Sequence, residues 1–453
     1  MDQTLTPHRR TAVRFTGDRH GTAALTWGQR EIWELFQKPG ARRCHYNYGR
    51  VYAVPGGRGV EDVCAALRVL VERYEALRTT VRCAADGEPR QVLAADGELT
   101  LEIYEADVRE TGSFAEMVRV DYLGHSFGDE DWPLRVAVIC GAGKPAFIVL
   151  MVSHLAVDRG GLDVVSRALS RLLAGAEPSP AGRHPLDLAA DEESPRGRLI
   201  AERAAAYWRR TLMATAPMRF PPQRKGSRPG WPAVELESAA MAVAASAIAR
   251  EQRTSPMAVI LAAVAGFLHR WTGNETVVVQ LISANRPSAG LRDMVGTTVQ
   301  RALFAVDCSG TTLHELVRRT WAGMTLANRH GRYPPQMIQA VLDEVEHDRG
   351  LGAEVHCFVN NFARFDTAGH ADGATPRRLR ESAAWPIPRG LSLEIRDSAV
   401  GLRLNLITDP RLVAADGARA LLCAVEELLT RGVRSDFALD EVAVHAEANE
   451  GQG

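Results

Sequence analysis

The segment Phe147 to Gly161, FIVLMVSHLAVDRGG, constrains this chain more than any other. Phe147-Ile148-Val149-Leu150-Met151-Val152 is an unbroken apolar run, rich enough in branched residues to read as a buried strand. It stops at Ser153-His154, and Asp158, Arg159, Gly160 and Gly161 follow. A core strand that delivers a histidine to its end, then turns through an acid and two glycines, holds an imidazole at the mouth of a cavity. The same residues also suit a structural histidine satisfied inside a core, so both readings stand on this segment alone.

With 453 residues the chain exceeds one ordinary core, and two domains are expected. Composition is that of a soluble globular protein, 46% hydrophobic and 24% charged. A net charge of -1 gives no reason to expect a nucleic-acid partner. The seven cysteines, Cys44, Cys64, Cys83, Cys140, Cys308, Cys357 and Cys423, are scattered without a C-x-x-C pair. They point to neither a metal site nor a disulfide scaffold. The N-terminus lacks the apolar core of a secretory signal, and no apolar run is long enough to span a membrane. The expectation is a cytoplasmic protein with no membrane partner.

Residues 1–20 are polar, basic and without period, and are read as a mobile N-terminus. The first domain is expected over 21–180. LTWGQREIWELFQ begins with the cap candidate Thr26 and reads as a helix. Tyr46–Gly57 reads as a strand, and Gly59–Val81 as an amphipathic helix running into a strand near Thr79–Cys83. PRQVLA and LTLEIYEAD are further strands, and GSFAEMVRVDYLGHSF a helix. Leu134–His154 is a hairpin that contains the apolar run, and Gly161–Ala176 a helix leaving it. The Pro- and charge-rich stretch 181–198 reads as a linker.

A second domain is expected over 199–447. RLIAERAAAYWRRTLM is a helix and PPQRKGSRPGWP an exposed loop. Thr254–Gly273, apolar nearly all round and capped by Thr254, reads as a buried helix. Thr276–Pro287 begins as a buried strand, VGTTVQRALFAVD is another, and GTTLHELVRRTWAGMTLANRH is a helix. AEVHCFVNNFARFD, the hairpin LSLEIRDSAVGLRLNLITDP and the helix GARALLCAVEELLTRG complete it, ahead of a polar tail. The two halves share a mixture of helices and strands without a sequence repeat, which gives a mixed α/β (α+β) class with two related domains.

The order of motifs resembles the condensation domains of nonribosomal peptide synthetases, members of the chloramphenicol acetyltransferase-like acyltransferases. LTWGQREIW is similar to their opening S-x-A-Q-x-R-x-W, RYEALRTTV to R-H-E-x-L-R-T-x-F, and SHLAVDRGG to H-H-x-x-x-D-G. AAYWRRTL is similar to Y-W-x-x-x-L, ANRPSAGLRDMVGTTVQRALFAVD to the segment around V-G-x-F-V-N-T, and LRLNLITDPRL to the closing strand. The likeness runs over residues 22–432. Departures are Ser153 for the first motif histidine, Arg159 for the motif glycine, Gln300 for an asparagine, and Ala305 where an arginine is common.

The resemblance implies two chloramphenicol acetyltransferase-like lobes in a V with a tunnel between them and His154 midway along it. It implies a free-standing condensation enzyme joining a thioester-bound acyl or aminoacyl donor to an amine or hydroxyl acceptor. An acyl or peptidyl carrier protein, acting in trans, brings the donor on its phosphopantetheine arm. The acceptor is a small molecule or is itself carrier-bound. No permanently bound cofactor or metal is implied. His154 is the implied catalytic base or aligning group. Ser153, Asp158, Gly160 and Gly161 form the motif turn, with Asp158 paired to Arg286 from the other lobe. Arg159 and Asn360 are the candidate substrate-binding residues, and the Arg159 cation is expected to keep His154 neutral. Two alternatives remain: an acyl-coenzyme A donor, and a catalytically silent docking module, which the altered residue Arg159 favours.

Overall fold

A computed structural model of the chain describes residues 5–38, 42–220, 231–350, 352, 355–365, 377–384 and 390–441. The chain forms two units, one of residues 1–199 with 284–300 and the other of 200–283 with 301–453. The first contains β1 (Arg9–Thr16), β2 (Gly21–Ala24), α1 (Trp27–Phe36), β3 (Tyr48–Ala53), α2 (Val60–Arg73), β4 (Thr79–Cys83), β5 (Pro89–Leu93), β6 (Asp96–Ala106), α3 (Thr111–Leu123), β7 (Leu134–Gly141), β8 (Lys144–Val152), α4 (Arg159–Leu173) and α5 (Pro185–Glu193). The boundary at residue 199 falls inside α6 (Pro195–Ala214).

The apolar run becomes β8, and its setting explains why it is apolar at every position. In the five-stranded sheet β1-β6-β7-β8-β3, Ile148, Leu150 and Val152 face a core shared with α2 and α4. Val149 and Met151 face a second core on the opposite side, shared with α3. Both faces are covered, so strict alternation gives way to a continuous run. β8 pairs antiparallel with β7 and with the edge strand β3, where Tyr48 lies opposite Val152. A smaller antiparallel sheet, β2-β5-β4, completes the strands of this unit. Thr26 caps α1 as expected, in a reciprocal capping box with Gln29.

Three expectations are corrected here. Residues 9–16 of the supposedly mobile N-terminus form β1, paired along its whole length with β6. Val13 and Phe15 are buried, while Arg10 and Arg14 reach Glu102 and Glu98 on the neighbouring strand. The charges that suggested disorder are the solvent face of an edge strand. The expected linker 181–198 holds the helix α5, with Pro185 at its first turn, and the start of α6. Segment 284–300 lies within the expected second domain but belongs to the first unit. Gly182 and Arg183 donate backbone hydrogen bonds to the carbonyls of Asp293 and Gly290 in it.

Continuing along the chain come β9 (Trp231–Ser238), α7 (Ala239–Glu251), α8 (Pro256–Thr272), β10 (Thr276–Ser283), the short α9 (Ala289–Arg292) of the first unit, β11 (Gln300–Asp307), α10 (Leu313–Arg329), α11 (Pro335–Arg349), β12 (Cys357–Asn361), β13 (Arg377–Ala384), β14 (Leu391–Asp397), β15 (Leu402–Thr408) and α12 (Ala415–Gly432). The second unit's sheet has the order β11-β10-β12-β14-β15-β9-β13. α8 is buried almost all round in the core it forms with α7, α10, α12 and the sheet. Its cap is Ser255, one residue beyond the expected Thr254. Trp208 of α6 and Tyr333 pack with Ile338, Val341 and Val345 of α11 in a separate cluster. The expected loop over 221–230 and the tail beyond 441 lie outside the described residues. No helix among the described residues is long and apolar enough to cross a membrane.

Candidate active site

His154 lies in the turn between β8 and α4, and the surrounding bonds leave that turn one conformation. The Ser153 carbonyl accepts from the amides of Ala156, at 3.1 Å, and Val157, at 3.0 Å. The Ser153 amide donates to the Pro133 carbonyl at 3.0 Å, and the Asp158 amide to that of Gly296 at 3.2 Å. Thr297 Oγ1 donates to the carbonyl of His154 itself at 2.6 Å.

Asp158 ends the turn and caps α4. Its Oδ1 accepts from the Gly161 amide at 2.8 Å and from Arg286 Nη2 at 2.6 Å. Its Oδ2 accepts from the Thr298 amide at 3.0 Å. The Thr298 hydroxyl lies 3.1 Å from Oδ2 and 2.8 Å from the Ala284 carbonyl, with one proton to share between them. Arg286 also donates to the carbonyls of Leu291, Met294 and Gly296. The side chains of Asp158 and Arg286 are 4% and 8% exposed, so the pair is buried, with only Arg286 Nε lacking a hydrogen bond. A carboxylate so fully engaged is a structural group and not a second base. Arg286, expected from the other lobe, lies in segment 284–300 of the same unit.

The two motif glycines are required by close approach, since neither has a positive φ. A Cβ on Gly160 would stand 2.7 Å from Arg286 Nε, and one on Gly161 would stand 3.0 Å from the Gly296 backbone. The Gly161 amide is engaged by Asp158.

The imidazole of His154 is buried, about 9% exposed. Its ring meets that of Tyr48 edge-on at 4.9 Å, with Tyr48 Oη 3.4 Å from Nε2. Burial pushes its pKa below the ordinary histidine value. The charge of Asp158 opposes this, as does the backbone of His154 and Val157. Backbone groups that favour an imidazolium are acceptors, hence carbonyl oxygens, although none completes a hydrogen bond with the buried Nδ1. A phenol can donate to Nε2 or accept from it, so the Tyr48 contact accommodates either neutral tautomer. Burial thus does the work expected of the Arg159 cation.

Arg159 is the first residue of α4 and is half-buried. Ser153 lines an open cleft, with Trp33, Phe36, Thr80, Phe127 and Leu155 among the other walls. Asn360 belongs to the second unit, where β12 is flanked by β10 and β14. It is therefore on an interior strand, opposite Glu394. Sequence reasoning missed Thr297, Thr298 and Tyr48. The threonines follow Gly296 in VGTTVQ, and Tyr48 alternates with Arg50 and Tyr52 in YGRVY, a period-two signal.

Three of the cysteines are buried and held as thiols. Burial pushes Cys140 up to about 11, and Cys308 and Cys357 up to about 12. Among the described residues, no group of three or more His, Cys, Asp or Glu side chains could hold a metal ion.

The chain thus forms two α/β units, with a histidine at the end of an interior strand and a capping aspartate four residues on. Over 97% of its length the chain is similar to a solved structure describing condensation domain-mediated chain release from the enacyloxin polyketide synthase. That match has a TM-score of 0.73 and 22% identity, and covers 85% of the solved chain. The SgcC5 protein from Streptomyces globisporus is similar over 91% of this chain and 100% of its own, with a TM-score of 0.67 and 20% identity. Residues 19–355 match the condensation-domain family model, and the chain belongs to that family. Curated relatives include chondramide synthase cmdD of Chondromyces crocatus, 26% identical over 341 residues, covering 72% of this chain and 9% of that protein. Cyclosporin synthetase simA of Tolypocladium inflatum is 25% identical over 408 residues, covering 86% of this chain and 3% of that protein. The chain spans under a tenth of either relative.

Two outcomes are expected from this geometry. Asp158→Ala and Arg286→Ala should each lower unfolding free energy by about 3–5 kcal/mol, because each strands a buried charge. Their effects should be strongly non-additive in a double-mutant cycle read by urea denaturation; additive losses would remove the pair from the account. His154 should titrate below about pH 6.5 in the folded protein, followed by its ring resonances. The unfolded chain then binds this proton before the native state as pH falls. The histidine's contribution to stability is full above about pH 6.5 and declines as the pH falls through the folded-state value. A folded-state midpoint at or above 6.5 would contradict the burial argument.

Proposed function

We propose that the chain transfers an acyl group from a thioester on a carrier protein's phosphopantetheine arm to an amine or hydroxyl acceptor, with His154 as the catalytic group. The observation that carries this reading is a buried imidazole, its pKa lowered by burial, on a turn held rigid by the Asp158–Arg286 pair and by Thr297. Membership of the condensation family supports the reaction class.

In the proposed step, the acceptor nitrogen or oxygen attacks the thioester carbon. Its proton passes to Nε2 as the new bond forms. The tetrahedral intermediate then expels sulfur, and the imidazolium returns the proton to the departing thiolate. The ring ends neutral, the products are an amide or ester and a free thiol, and no covalent enzyme intermediate is required. A rigid turn matters because proton transfer depends on near-attack geometry.

Arg159 is proposed to recognise an anionic group on a substrate. A cation in the first turn opposes the positive end of a helix dipole, so the helix itself does not favour an arginine there. A guanidinium and that helix end together favour an anion.

The test is the intact mass of a loaded carrier protein, supplied as a separate domain, after incubation with candidate nucleophiles. A parallel reaction with the acyl-coenzyme A donor separates the two thioester sources. His154→Ala should lower turnover by about 10²–10⁴-fold, the usual value of a positioned general base. Undiminished product formation by the folded variant would remove His154 from the chemistry. Arg159→Gly should raise KM for an acidic acceptor more than it lowers kcat, with Arg159→Lys in between. Equal effects on acidic and neutral acceptors would eliminate carboxylate recognition.

A further inference from the structure

The imidazole of His154 lacks the orienting carboxylate that a catalytic histidine often carries. Asp158 has both oxygens engaged elsewhere, and the buried Nδ1 completes no hydrogen bond. Nε2, by contrast, lies 3.4 Å from the hydroxyl of Tyr48.

We propose that Tyr48 is a positioning residue for His154, its hydroxyl bonding Nε2 and its ring edge setting the plane of the imidazole. The consequence for turnover rests on the acyl-transfer reading; the contact itself does not.

Three features hold Tyr48 where this role needs it. It opens β3, and the β3–β8 register sets it opposite Val152, two residues before His154. The next residues on the same face of β3 tie that strand to α4. Arg50 donates to Asp163 at 2.5 Å and to Ser166 at 2.8 Å, and the Tyr52 hydroxyl lies 2.7 Å from Ser166 Oγ. α4 is in turn fixed to the His154 turn by the Asp158 cap. Strand, helix and turn therefore close a ring of constraints around the imidazole.

A phenol suits both states of the proposed cycle because it donates and accepts. With Nε2 unprotonated, the hydroxyl donates to the lone pair, and at 3.4 Å the bond is long enough to yield to an incoming nucleophile. Once Nε2 is protonated, the hydroxyl turns and its oxygen accepts. The ring keeps one orientation throughout, and the proton never meets an unpartnered nitrogen.

Tyr48→Phe keeps the edge contact and removes only the hydroxyl. The expected result is a fall in kcat of about tenfold, the value of one ordinary hydrogen bond, with KM unchanged. The Nε2 nitrogen resonance of His154 should move relative to wild type, and the ring should populate both neutral tautomers. In the wild-type protein the same spectrum should show a single Nδ1–H tautomer whose Nε2 accepts a hydrogen bond, a reading that needs no variant. A Tyr48→Phe protein with kcat and the Nε2 resonance both unchanged would falsify the proposal and reduce Tyr48 to packing. A moved resonance in a protein that transfers no acyl group would uphold the hydrogen bond and overturn the acyl-transfer reading instead.

Discussion

The buried pair of Asp158 and Arg286 is the interaction on which the rest of the site depends. Two opposite charges, each less than a tenth exposed, are tolerable in a core only when their remaining hydrogen-bonding capacity is met. Here most of it is met, by the Gly161 and Thr298 amides on one side and by the carbonyls of Leu291, Met294 and Gly296 on the other, while Arg286 Nε is left without a hydrogen bond. Those partners come from α4 and from segment 284–300, so satisfying the pair draws both onto the His154 turn. Thr297 lies between two of these partners, Gly296 and Thr298, and reaches the carbonyl of His154. The acid in the motif thus acts through geometry: it fixes the backbone from which the imidazole projects.

Burial gives the imidazole its chemical character. Desolvation disfavours the charged ring, and the opposing contributions from Asp158 and the backbone are smaller than the burial effect. A lowered pKa makes a weaker base but one that is unprotonated at neutral pH, the balance a general base requires. The charge of Asp158 is already answered by Arg286, which limits its pull on the ring. Burial where β8 ends, next to two apolar cores, is the largest influence that lowers the pKa of the ring.

By itself the sequence determined the elements whose signal is local. The β7–β8 hairpin, the capped α1, the buried α8 and the motif turn could be read from apolar runs, cap residues and glycines, because those preferences act between near neighbours. His154, Asp158 and the pairing with Arg286 were legible through the resemblance of ordered motifs. Tertiary structure decided what depends on distant partners. The basic stretch at 9–16 is a strand only because β6 lies beside it, and the unexpected β9 lies between β15 and β13. α11 has its apolar residues sparsely spaced, and gains its buried face from Trp208, far away in the chain, together with the adjacent Tyr333. Segment 284–300 joins the first unit because Arg286 must reach Asp158, 128 residues earlier. Tyr48 meets His154 only through the β3–β8 register, and no periodicity in either segment encodes which residues of two strands will face one another.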